Sequence, residues 1–191
     1  MKKRIAIFAS GGGSNAKKIA EYFVGHATVD VALIVSNKAN AGVLDIARDM
    51  GIETYIIPSK KEYLETEDLL RELYIYQIDF IVLAGFLWLI PPYLTAEFDK
   101  RIINIHPALL PKYGGKGMHG MHVHQAVVAA GEKESGITIH YVDNVYDNGE
   151  HILQAKVIVE PGDTPEIVQK KVLALEHEYF PKVIEQVLRE Q

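Results

Sequence analysis

The sequence predicts an α/β fold: a parallel sheet with helices on both of its faces. Two observations point there. Short β-rich apolar runs alternate with stretches of helical periodicity, in a β-α-β-α-β-α-β rhythm that favours parallel strands joined by crossover helices. A glycine-rich turn also leads directly from the first apolar run into the first amphipathic segment, as in nucleotide-binding sheets.

The elements follow in chain order. "RIAIFA" is the first strand, and after its glycines "NAKKIAEYFVG" is an amphipathic helix. "VDVALIVS" is the second strand. In "AGVLDIARDMG", Val43, Leu44, Ile46 and Ala47 lie at helical spacing and Gly51 is the stop. "ETYIIP" is a third strand, "EYLETEDLLRELYIYQ" a helix, and "IDFIVLAG" a strongly apolar fourth strand. After Arg101 the rhythm changes. "RIINIH" is a fifth strand, "HVHQAVVAAGE" a short helix, and "GITIHYVDNVYDNGEHILQAKVIVE" reads as strands around turns. The closing helix begins at Thr164 as N-cap with Pro165 in the first turn, and Pro181 is expected to kink or split it.

Length and composition set the outer limits. The 191 residues suit one domain over 1–191, and 48% hydrophobic with 24% charged residues is ordinary globular usage. A net charge of −5 argues against a general nucleic-acid binder, and the lack of cysteine excludes disulfides and thiolate metal sites. Lys2, Lys3 and Arg4 precede an apolar stretch as in a signal peptide, but Ile5–Ala9 is too short for one. The longest apolar run, Phe80 to Ile90, is too short to span a bilayer. A soluble, cytoplasmic protein without membrane partners is expected.

Three stretches carry chemistry. In "FASGGGSNA", glycines open a helix whose free N–H groups and dipole favour an anion. Gly11, Gly13 and Ala16 satisfy a dinucleotide fingerprint, but Ser36, Asn37 and Lys38 stand where it requires an acidic residue. The stretch reads as a phosphate site, or else as a tight turn capped by Ser14. In "IINIHP", Asn104 and His106 share one face of a strand and project past its carboxyl end. An amide donor for an oxyanion and an imidazole for proton transfer suit a tetrahedral intermediate. Buried, satisfied structural side chains would fit the same spacing. Asp147, in "YDNG", is a turn former or a carboxylate holding an imidazole protonated. Two further groups read as structure. His119, His122 and His124 lack the company of a usual zinc set, so no metal is expected, and Glu176 with His177 reads as a solvated helix face.

Taken together, "FASGGGSN", "VSNKANAGVLDIARDMGI", "IDFIVLAGFLWLI", "IINIHPALLPKY", "GITIHYVDNVYDNGEHILQAKV" and "EHEYFPKVI" resemble the phosphoribosylglycinamide formyltransferases of purine biosynthesis, in order over nearly the whole chain. The resemblance implies a Rossmann-like formyltransferase fold. It also implies transfer of a formyl group from 10-formyltetrahydrofolate, as co-substrate, to the amine of glycinamide ribonucleotide. On that resemblance Asn104, His106 and Asp147 are the catalytic trio, and Gly13, Ser14 and Asn15 bind the substrate phosphate. Glu176 meets the ribose or amine of the substrate. Leu87, Trp88, Leu89 and Ile90 line the folate pocket, with Lys60 as its basic residue and Asn104 shared. Asp147 is expected to raise the pKa of His106. The connection after "LLPKY" is longer and richer in Gly and His than the family's, which affects the mouth of the site more than its chemistry. Related methionyl-tRNA formyltransferases add a C-terminal domain and need a basic surface. Formyltetrahydrofolate deformylases add an N-terminal domain. Neither addition is expected here. A deformylase-like hydrolase and a non-catalytic nucleotide-binding module remain the alternatives.

Overall fold

The computed structural model describes residues 2–191. Its strands form one seven-stranded sheet in the order β3-β2-β1-β4-β5-β6-β7. β1 (Lys3–Phe8), β2 (Val29–Ser36), β3 (Glu53–Ile56), β4 (Phe80–Leu83) and β5 (Ile102–His106) are parallel. β6 (Glu134–Tyr141) and β7 (His151–Ile158) finish the sheet antiparallel.

Strand side chains alternate between two apolar layers. Ile5, Ile7 and Ala9 pack with α1 (Ser14–Phe23), α2 (Val43–Met50), α6 (Met121–Ala129) and α7 (Pro165–Glu190). Ala6 and Phe8 face the other layer, formed by α3 (Lys60–Glu65), α4 (Asp68–Ile75) and α5 (Pro92–Glu97). The chain leaves β1 toward β2 on one side and returns to β4 on the other. That reversal opens a crevice at the carboxyl ends of β1 and β4, where open α/β sheets bind ligands.

Local rules explain most boundaries. Gly51 ends α2 in the left-handed conformation, and the Thr164 hydroxyl accepts the Ile167 N–H at the start of α7. Two expectations are corrected. The helix read over "EYLETEDLLRELYIYQ" is two helices, because Thr66 is extended. Its hydroxyl lies 3.0 Å from both the Glu62 carbonyl and the Asp68 carboxylate, a side-chain alternative to continued helix. Pro181 does not split α7, which runs unbroken through it. The residues after it, Val183, Ile184, Val187 and Leu188, are buried in the core and hold the second half in line. The "DNG" stretch lies in a long connection between β6 and β7, with Asp147 in a turn. Positive φ falls on Asp147 itself, and the connection runs over residues 142–150. The sequence reading also missed α5, which starts where Pro91 and Pro92 end the run after β4.

Candidate active site

The carboxyl end of β5 gathers the polar side chains. Antiparallel pairing sets Asn104 opposite His140 and His106 opposite Thr138. The chain cannot extend past Pro107, and Thr138 fixes where it turns. The buried Thr138 hydroxyl donates to the Ala108 carbonyl (2.7 Å) and accepts the Leu110 N–H (3.0 Å). Gln154 adds a bond to the Leu110 carbonyl. The prolines stop the ladder, and this bracket aims the exit.

Asp147 reaches the same place from the long β6–β7 loop. Gly149 makes that possible, since a Cβ there would lie 1.8 Å from the Tyr141 carbonyl oxygen. The carboxylate accepts the Gly115 N–H at 2.8 Å, with His106 Nδ1 at 3.5 Å and His140 Nε2 at 3.7 Å. His106 Nε2 donates to the Tyr113 carbonyl at 2.8 Å. His140 Nδ1 donates to the Tyr141 carbonyl, leaving Nε2 to accept the Asn104 amide at 3.2 Å. The sequence reading did not single out His140. Its signal was present: in "GITIHY" it sits two residues after Thr138, on the same strand face.

Burial works against charge here. It pulls the His106 pKa down; Asp147 and the Tyr113 carbonyl pull it up, the His140 ring opposes them, and the net displacement is downward. The raising influence expected of Asp147 is present, but against the larger effect of burial it only limits a depression. Both His106 nitrogens nevertheless face acceptors, so a second proton has a place to go. For Asp147, burial pushes up, but His140 and His106, when each carries a second proton, and the Gly115 N–H outweigh it and keep the carboxyl low.

These residues form the floor of a cleft of about 680 Å³. One wall is the glycine-rich turn. The N-cap of α1 is Gly13 without any side-chain cap, so the reading of Ser14 as the cap is corrected; Ser14 is the first helical residue and lines the cleft. Gly13 itself does not line it. Its φ is +75°, and a Cβ would lie 2.7 Å from Val43 Cβ, so this glycine serves the α1–α2 contact. Gly11, which the resemblance did not assign, faces the cleft instead. Asn15 also lines it and donates to the buried Glu176 carboxylate, so Glu176 is no solvated helix face. Burial pushes the Glu176 pKa up, and the Asn15 bond only partly offsets this.

The opposite wall is Leu87, Trp88, Leu89 and Ile90. Ser10 ties the two walls together, its hydroxyl accepting the Leu87 N–H at 3.0 Å. Lys60 lies behind this wall, 6.0 Å from the Trp88 ring, and does not line the cleft. The histidines of "HGMHVH" diverge. His119 and His122 are exposed with rings 5.7 Å apart, while His124 is buried. Among the described residues no group of three or more His, Asp or Glu side chains has an arrangement that could hold a metal ion.

Comparison with known proteins gives a consistent result. Residues 3–184 match the family described as "Formyl transferase". The chain is similar to "Phosphoribosylglycinamide formyltransferase, chloroplastic" of Arabidopsis thaliana, at 44% identity over 100% of the chain and 67% of the relative. It is 37% identical to "Phosphoribosylglycinamide formyltransferase" of Escherichia coli (strain K12), over 94% of the chain and 84% of the relative. Against the Vigna unguiculata relative the chain spans 62% of that protein's length. The crystal structure of phosphoribosylglycinamide formyltransferase from Anaplasma phagocytophilum superposes with a TM-score of 0.89 at 33% identity, covering 100% of this chain and 89% of that one.

Proposed function

Because the chain belongs to the formyl transferase family, we propose that it moves a formyl group from 10-formyltetrahydrofolate to the amine of 5-phosphoribosylglycinamide. The reaction belongs to purine biosynthesis, with tetrahydrofolate as the second product. The observation that carries this reading is the meeting of Asn104, His106, His140 and Asp147 at one strand end, on the floor of a two-walled cleft.

The walls suit two different ligands. The uncapped start of α1, with Gly11 and Ser14 at the cleft, offers N–H and hydroxyl donors to the phosphate, and Lys38 adds a cation. Glu176, held by Asn15, accepts from the ribose or amine. The apolar wall from Leu87 to Ile90, with its indole, fits the flat folate ring. Lys60 acts there only through the Trp88 ring.

The bound folate supplies the formyl group at N10. Asn104 donates to the formyl oxygen as the amine attacks and negative charge develops there. The amine releases a proton to water, the bond to N10 breaks, and N10 gains a proton from protonated His106, which water then reprotonates. In the structure His106 Nε2 is bonded to the Tyr113 carbonyl, so that bond yields before the proton moves. Asp147 opposes the burial that lowers the proton affinity of His106, without reversing it. His140 accepts from Asn104 and so orients its amide. No step needs a metal or a covalent enzyme intermediate. A cytoplasmic location belongs to this reading, alongside the chloroplastic plant relatives. No helix of the described residues is long and apolar enough to cross a membrane.

The test is incubation with 10-formyltetrahydrofolate, with and without glycinamide ribonucleotide, following tetrahydrofolate release. Release that depends on the amine supports the transferase. Release without it identifies a hydrolase, and no release a binding module.

A further inference from the structure

Tyr63 lies on α3, outside every stretch read above as carrying chemistry, yet it is among the largest fully buried side chains. Its hydroxyl donates to the Leu89 carbonyl at 3.1 Å. Its ring stands 5.3 Å from that of Trp88 and 6.0 Å from that of Phe86, both of which line the cleft. The Tyr63 carbonyl in turn accepts the Tyr93 hydroxyl at 3.0 Å. Residues 84–91 contain no helix or strand. The Ala84 N–H donates to the Phe8 carbonyl and the Ser10 N–H to the Gly85 carbonyl, which holds the start of the segment. Its middle is held by Ser10 Oγ at the Leu87 N–H and by the Tyr63 hydroxyl at the Leu89 carbonyl. Leu87 and Leu89 are themselves exposed, so packing holds them weakly.

We propose that Tyr63 is a positioning residue for the folate wall: its hydroxyl holds the Leu89 carbonyl, and its ring sets the angle of Trp88, so that the apolar wall is preformed before the ring of the co-substrate arrives. The proposal rests on the reading of residues 87–90 as the folate wall. Burial pushes the Tyr63 phenol far above its ordinary pKa, so the hydroxyl remains a donor throughout the physiological range. A wall held in its binding shape spares the ligand the cost of ordering it, so loosening the wall weakens folate binding and leaves chemistry in the filled site intact.

The experiment compares Tyr63→Phe, Tyr93→Phe and Trp88→Leu with the wild type. Trp88 is the sole tryptophan, so its fluorescence reports this wall directly. Tyr63→Phe, losing one buried hydrogen bond, is expected to raise KM for 10-formyltetrahydrofolate about five- to tenfold. kcat and KM for the ribonucleotide should hold, and Trp88 emission should shift to longer wavelength. Tyr93→Phe removes a half-buried hydroxyl bond of similar length that does not reach residues 87–90, and should leave folate KM in place. An equal rise in both variants, or a lowered melting temperature for Tyr63→Phe with folate KM unchanged, overturns the proposal and makes Tyr63 merely structural. Trp88→Leu separates the premise from the inference. If it raises folate KM while Tyr63→Phe does not, the positioning role fails and the wall stands. If Trp88→Leu leaves folate KM unchanged, the wall itself is wrong and the proposal falls with it.

Discussion

Replacing Gly13 by alanine tests what this glycine is for. Its φ of +75° is left-handed, which costs an L-residue about 1–2 kcal/mol. The new Cβ would also lie 2.7 Å from Val43 Cβ and Cγ2 and 2.9 Å from Val43 Cα. The last of these is backbone and cannot rotate away, so overpacking adds about 1–3 kcal/mol. The sum, roughly 2–5 kcal/mol, is a large part of the 5–15 kcal/mol that holds an ordinary domain together. For a chain of this size it should lower the melting temperature by roughly 5–20 °C, read by circular dichroism. Val43→Ala should restore little, because Val43 Cβ and Cα stay in place. Calorimetry of the folded protein should show no selective loss of the ribonucleotide over folate. A variant that melts with the wild type yet binds the ribonucleotide weakly would refute this, by showing that Gly13 faces the phosphate after all.

Gly11→Val should give that selective effect: no atom lies within 4 Å of its Cβ position, so KM for the ribonucleotide should rise while the melting temperature holds. Asp147→Asn removes a charge that pulls the His106 pKa up, so NMR should find that pKa lower still and turnover at neutral pH reduced. His106→Ala should cost about 10² to 10⁴ in rate, and the double variant far less than the product of the two losses. Because burial raises the Glu176 pKa, the stability this residue contributes is full below the ordinary carboxylate range and lost as pH rises through its raised value. Glu176→Gln should therefore gain on the wild type in melting temperature between pH 4 and pH 8, while binding the ribonucleotide less tightly.

What the sequence determined was whatever depends on neighbours along the chain. Apolar runs and helical periodicities located the strands and most helices, because burial patterns follow local repeat lengths. Thr164, Pro165 and Gly51 marked helix ends because capping uses atoms within one turn. The strand-end pair Asn104 and His106 was legible for the same reason: period two puts them on one face, and Pro107 ends the ladder. Contacts between distant segments decided the rest. His140 joins the cluster only through antiparallel pairing with β5, and Asp147 only because Gly149 lets a long loop press on Tyr141. Gly13 packs against Val43 from a distant segment, which no local pattern announces, and Glu176 looked exposed until Asn15 met it from α1. The proton affinity of His106 is the plainest case. Its carboxylate partner was foreseeable as a raising influence, but the larger opposing effect is burial, which exists only once the sheet, the loops and α6 close around the ring.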